Sequence, residues 1–123
     1  MSYFYSLRGW LEVDPSNIRS VISVIVKMQQ KYQQGTKDHL YMQGWCWSEK
    51  EINWTRYIFY GADVTHEGIL LFDQVLNAVA NIKAQVSGYF HAQGEDGEHN
   101  LEYRLSDDVW RVENSAETLL SGA

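Results

Sequence analysis

The sequence predicts an α+β domain in which helices cover one face of a mostly antiparallel sheet. Three observations predict this class: stretches of alternating polarity, two stretches with apolar residues three or four apart, and turn-forming residues between them. The 123 residues are enough for one ordinary domain and too few for two. We expect a single domain over residues 1–114 and a flexible tail over residues 115–123.

The chain is expected to begin with a strand and a helix. Residues 3–13 alternate in polarity, which favours a strand with Gly9 as a bulge. Asp14 and Pro15 are typical of a helix start, and apolar residues at helical spacing continue the predicted helix over residues 15–33.

The rest of the chain predicts a second helix among further strands. The aromatic-rich stretches 39–47 and 52–62 flank a polar turn and predict a hairpin. Thr65 is placed to cap a helix with a clear apolar face. Three more strands are predicted, over residues 85–93, 99–105 and 109–114. The order is β-α-β-β-α-β followed by a C-terminal β-hairpin, and its first six elements match the ferredoxin-like arrangement with two helices on one face.

Cys46 is the single cysteine, so the chain can form no disulfide within itself. Between Trp45 and Trp47 it is expected to be a small buried apolar residue.

The N-terminus lacks the pattern of a signal peptide, and apolar stretches are far shorter than a membrane span. We therefore expect a cytoplasmic protein that does not associate with membranes.

The net charge of −6 comes entirely from the last quarter of the chain. Residues 1–94 contain equal numbers of acids and bases, whereas residues 95–123 contain eight acids and two bases. Such a negative field repels nucleic acid and attracts a basic protein. The candidate contact residues are Glu95, Asp96, Glu98, Glu102, Asp107 and Asp108. The alternative is that these charges only protect an edge strand from aggregation.

The predicted aromatic hairpin provides a second candidate surface. Strand parity places Trp45 with Trp47 and Trp54 with Arg56, so these four side chains could share the uncovered face as a docking or dimer surface. The alternative is that the aromatic residues only cap the open side of a curved sheet. Parity alone leaves open which face points outward.

No residues point to catalysis, a metal or a cofactor. Phosphate-binding, nucleophile-elbow and zinc-protease motifs are missing from the sequence. His91, Asp96, Glu98 and His99 fall near one predicted turn, but their spacing matches no zinc signature.

A single acidic domain with five Trp, eight Tyr, no disulfide and no catalytic motif resembles the immunity proteins of bacterial contact-dependent-inhibition and polymorphic toxin systems. The resemblance implies a non-catalytic protein that neutralises a basic cognate toxin. The alternative is a ferredoxin-like homodimer that binds or transforms a small molecule in an aromatic pocket, with His39, His91 or Arg56 as its polar group.

Overall fold

The computed structural model describes residues 2–50 and 56–114 and contains six strands and three helices there. In chain order these are β1 (Tyr5–Val13), α1 (Ile18–Gln30), α2 (Lys37–Met42), β2 (Trp45–Trp47), β3 (Arg56–Val64), α3 (His66–Asn81), β4 (Ser87–Gly94), β5 (Asn100–Ser106) and β6 (Val109–Asn114). The strands form one antiparallel sheet in the order β2-β3-β1-β4-β5-β6. The predicted α+β class and antiparallel sheet are confirmed. The predicted tail and Trp54 lie outside the described residues.

The core lies on one face of this sheet, where the helices pack. The alternating residues Leu7, Leu11 and Val13 of β1 are buried against it. Phe72 of α3 is at its centre, with ring centroids 5.4 Å from Trp45 and 4.8 Å from Phe90. Each such ring pair adds about 0.5–1.5 kcal/mol to the energy of burying the rings. The large aromatic residues therefore fix the distance between α3 and the sheet.

Helix α2 replaces the first half of a predicted strand. The prediction of a strand over residues 39–47 is wrong up to Met42, because only the last three residues pair with β3. The side-chain oxygen of Thr36 accepts a hydrogen bond from the His39 N–H at 3.2 Å, which caps the helix. Tyr41 packs its ring against Gly68 of α3, where a Cβ would stand 3.0 Å from the ring. Capping and tertiary burial thus outweigh the β-propensity of this segment.

The first helix is shorter than predicted. The Asp14 carboxylate accepts a hydrogen bond from the Ser16 N–H at 2.9 Å, so it stabilises a turn, and α1 begins only at Ile18. The predicted bulge at Gly9 is also wrong, since Gly9 pairs in uninterrupted register with Tyr60 and Phe90.

The second long helix and the last hairpin follow the sequence closely. Helix α3 starts directly after Thr65 and buries most of the predicted apolar face, although Ile82 follows the helix and is 37% exposed. Strand β6 has the predicted bounds. Asp107 and Asp108 join β5 to β6 with φ values of 50° and 69°. Two such residues are typical of a type I′ hairpin, which Asp tolerates.

Candidate functional site: the uncovered face of the sheet

The outward-facing side chains of the strands form a surface that we call the open face. On the central strand β1 it carries Arg8 and Trp10, which alternate with the buried residues. Register places Trp10 between Phe59 of β3 and Tyr89 of β4. The same register places Arg8 beside His91 of β4. The open face thus has an aromatic row and, next to it, a polar row.

The aromatic row is large and accessible. Trp10 is 38% exposed, Tyr57 42% and Phe59 45%. The ring centroids of Trp10 and Tyr89 are 5.6 Å apart, and those of Tyr57 and Phe59 are 6.1 Å apart. Side chains that touch in this way limit one another's rotamers. The row is therefore a preorganised apolar surface, which is the kind that binding partners use.

A groove of about 730 Å³, which we call the central groove, runs beside this row. It is lined by Arg8, Gly9, Trp10, Phe59, Tyr60, Tyr89, His91 and Gln93. Gly61 of β3 pairs with Arg8 of β1, and it has no side chain that could fill the space beside Arg8. The floor of the groove includes Gly9, which has no side chain, and its walls are the large rings around it.

Two polar side chains in the central groove, Arg8 and His91, have hydrogen-bonding groups without a partner in the described residues. The Arg8 guanidinium donates to the Ser6 hydroxyl at 3.0 Å and to the Gln93 side-chain oxygen at 3.2 Å. His91 is only 9% exposed, and its Nε2 has no hydrogen-bond partner in the described residues. Burial, and then the nearby Arg8 charge, lower the pKa of His91, so its ring is neutral at pH 7.

Glu102 belongs to the open face but is held by its neighbours. It accepts a hydrogen bond from the Tyr89 hydroxyl at 2.8 Å and two from Arg104, at 2.8 and 3.1 Å. These bonds, the one from Tyr89 first, lower the pKa of the Glu102 carboxyl. Glu102 therefore orients Tyr89, and much of its charge is compensated within the protein.

A second groove, of about 530 Å³, continues from the central groove and shares Gln93 with it. It is also lined by Phe4, Ser6, Asp63, Gly94 and Glu95. Asp96 and Glu98 follow Glu95 in the turn after β4, so they lie at the same end of the sheet. We call Asp63, Glu95, Asp96 and Glu98 the acidic end.

The six acids predicted to form one contact surface lie in separate places. Asp107 and Asp108 are in the turn at the far end of β5, a strand of seven residues that spans about 20 Å. The six acids are therefore not one compact patch: five lie in two turns at opposite ends of β5, and Glu102 lies on the strand between them. A hairpin that is compact in sequence places its successive turns at opposite ends of its strands.

Several of these acids also have structural partners. Glu95 accepts a hydrogen bond from the Phe4 N–H at 3.0 Å, and Asp96 accepts from the Tyr3 hydroxyl. Asp108 accepts from the N–H groups of Gln85 and Val86. Glu98 is exposed, and in the described residues no hydrogen bond involves its carboxylate.

The predicted aromatic surface faces the wrong way. Trp45 is buried against Phe72, and Trp47 is half-buried on the same side. Arg56 shares the inward parity of Ile58 and donates to the Ser48 carbonyl. Cys46, predicted to be buried, is exposed and pairs with Phe59 on the open face. The residues that sequence reasoning missed are Trp10, Tyr57, Phe59, Tyr89 and Arg8. The alternation in residues 3–13 places Trp10 on the same side of the strand as Arg8 and Glu12. This pattern could have indicated that Trp10 lies on the open face.

The polar turn residues Asp96, Glu98 and His99 are a possible metal-binding cluster. Their potential metal-ligating atoms lie within 4.8 Å of one another, and all three residues are exposed. The Asp96 carboxylate is already engaged by Tyr3 and by the Glu98 N–H. His91, which the sequence placed near them, lies instead in the central groove. The open face thus presents aromatic rings, the cations Arg8, Arg104 and Arg111, and a neighbouring acidic end.

No protein-family model, curated protein or solved structure matches this chain. Within residues 2–50 and 56–114, none of the helices has the length and apolar character needed to cross a membrane.

Proposed function

We propose that this protein is a non-catalytic binding protein that docks a basic protein partner on its open face. The partner is a cognate bacterial toxin domain, which the protein neutralises in the cytoplasm. The observation that carries this proposal is the exposed aromatic row on the sheet face that none of the described helices covers, continuous with the acidic end.

The aromatic row supplies the affinity. Trp and Tyr dominate the energetics of protein interfaces, because they bury large area at little cost in side-chain entropy. Trp10 and Tyr89 are adjacent, and Tyr89 is further held by Glu102. A partner would thus meet rings that are already ordered.

The acidic end supplies the attraction. Asp63 and Glu98 are exposed, and in the described residues neither carboxylate forms an ion pair. Negative potential at one end of the docking surface accelerates encounter with a basic partner and sets its orientation. Toxin nucleases are cationic because they hold nucleic acid, which is the charge this surface complements.

We further propose that β1, α1, β2, β3, α3 and β4 form a ferredoxin-like unit with α2 inserted. The order β2-β3-β1-β4 and the antiparallel pairing within it support this assignment. In such a unit the helices leave one sheet face free, and here β5 and β6 extend that face.

Charge reversal at the acidic end tests the proposal. We expect tagged protein to recover one stoichiometric basic protein from the extract of its native cell. The double variant Asp63→Lys/Glu98→Lys should slow association with that protein at least tenfold at low salt. The measurement is the association rate by surface plasmon resonance at several ionic strengths.

Glu49→Lys is the matched control. Glu49 follows β2 at the end of the sheet opposite the acidic end, and it is also exposed. The Glu49→Lys variant should associate with the basic protein at a rate close to that of the wild type. This control changes the net charge by half as much as the double variant, so a slowing half as large on a logarithmic scale would show that only net charge matters. An acidic or neutral partner would overturn the proposal.

A further inference from the structure

We propose that the central groove binds a small aromatic carboxylate, with its ring against Trp10, Phe59 and Tyr89 and its carboxylate on Arg8. This site shares its rings with the docking surface proposed above, but its ligand needs no protein partner, so the site can be tested on the isolated chain. Of the polar groups expected in the alternative aromatic pocket, His91 lines this groove, whereas His39 and Arg56 do not.

Arg8 provides an uncompensated positive charge. The two ion pairs in the described residues join His99 to Asp96 and Arg104 to Glu102, and neither includes Arg8. Its two hydrogen bonds go to the neutral side chains of Ser6 and Gln93. A guanidinium has five N–H donors, so three remain. Two parallel donors of this kind match the two oxygens of a carboxylate.

The groove walls match a flat apolar body. Trp10 has Phe59 on one side and Tyr89 on the other, and their rings face the same space. The volume of about 730 Å³ lies within the roughly 300–1,000 Å³ usual for small-molecule sites. It accommodates a fused two-ring ligand.

His91 adds a neutral ring to the groove wall. The ring lines the groove beside Arg8, and burial lowers its pKa, so it is uncharged at pH 7. Its Nε2 is buried and has no partner in the described residues, so a ligand in the groove does not contact this atom. His91 therefore contributes packing area to the wall and no charge.

The surroundings favour a single negative charge over a phosphate. Arg8 is the one cation among the groove residues, because His91 is neutral at pH 7. Asp63 and Glu95 line the adjoining groove, and their field opposes a multiply charged ligand. A nucleotide should therefore bind more weakly than a monocarboxylate.

Calorimetric titration of the full chain with naphthoate and with its neutral isostere naphthamide tests the site. Wild type should bind naphthoate about tenfold more tightly, as expected for a hydrogen-bonded charge. Arg8→Gln should remove this preference and leave naphthamide affinity unchanged, and Arg8→Lys should restore part of it.

Arg111→Gln is the matched control, because Arg111 faces outward from β6 and does not line the groove. Its affinity for naphthoate should equal that of the wild type. Melting temperatures of all variants establish that they are folded. The proposal is overturned by equal wild-type affinity for acid and amide, by unchanged affinity in Arg8→Gln, by no saturable heat, or by AMP binding more tightly than naphthoate.

Discussion

At the scale of single residues, Asp108 shows that a charge can look functional in the sequence and be structural in the fold. Its two carboxylate oxygens accept hydrogen bonds from the Gln85 N–H at 2.9 Å and the Val86 N–H at 2.8 Å. Lys83 and Gln85 in this loop have φ values of 57° and 58°, in the left-handed region. Asp108 thus holds a strained connection between α3 and β4.

We expect Asp108→Asn to lower the free energy of unfolding by about 1–3 kcal/mol, because an amide can accept from only one of the two N–H groups. The matched control is Asp107→Asn. Asp107 has the same left-handed backbone, which Asn tolerates, but its carboxylate has no hydrogen bond in the described residues. Urea denaturation of both variants measures the difference. Equal stability of the two would show that the Asp108 bonds contribute nothing.

At the scale of elements, periodicity predicted segments that cover several periods and failed on one that covers fewer than two. Helix α3 has 16 residues, more than four turns, and the six residues of β6 cover three periods of a strand. Helix α2 has six residues, and its formation depends on the Thr36 cap and on Gly68, far along the chain. Local propensity could not have shown that contact.

The pairing of β1 with β4 depends on a glycine. A Cβ at Gly9 would stand 2.1 Å from the Tyr89 carbonyl oxygen and 2.6 Å from the Phe90 Cα. These are backbone atoms, so they can move only if the central strands separate. Gly61 lies on the neighbouring strand β3, and a Cβ there would meet nothing within 4 Å.

We therefore expect Gly9→Ala to reduce stability by about 2 kcal/mol or more. Gly61→Ala should be neutral or stabilise by about 0.4–1 kcal/mol, since it restricts the unfolded chain without strain. Thermal melts of the two variants compare them directly. A Gly9→Ala variant as stable as Gly61→Ala would contradict the close approach of β1 and β4.

At the scale of the whole molecule, the sequence predicted the class and the kinds of side chain in the site, but not their placement. Alternation divides the residues of a strand into two sets, one for each face of the sheet. When both sets contain aromatic residues, alternation alone does not predict which set packs against the helices. The interpretation of Trp45 and Trp47 as a docking surface is wrong for this reason, since both lie on the helix side of the sheet. The negative charge was read from the sequence as one surface, and the hairpins distribute it to both ends of the sheet.

The central claim is that a basic protein docks on the open face, and pairs of apolar substitutions on the two sides of the molecule test it most directly. Three tagged proteins are each incubated with native cell extract: the wild type, the open-face variant Trp10→Ala/Phe59→Ala and the helix-side variant Leu40→Ala/Leu70→Ala. The retained proteins are then quantified by mass spectrometry. Leu40 on α2 and Leu70 on α3 are 66% and 48% exposed, so the helix-side pair matches the open-face pair in accessibility. We predict that wild type and the helix-side variant retain the same stoichiometric basic protein and that the open-face variant loses it. Retention by the open-face variant, or loss from the helix-side variant, would contradict the claim.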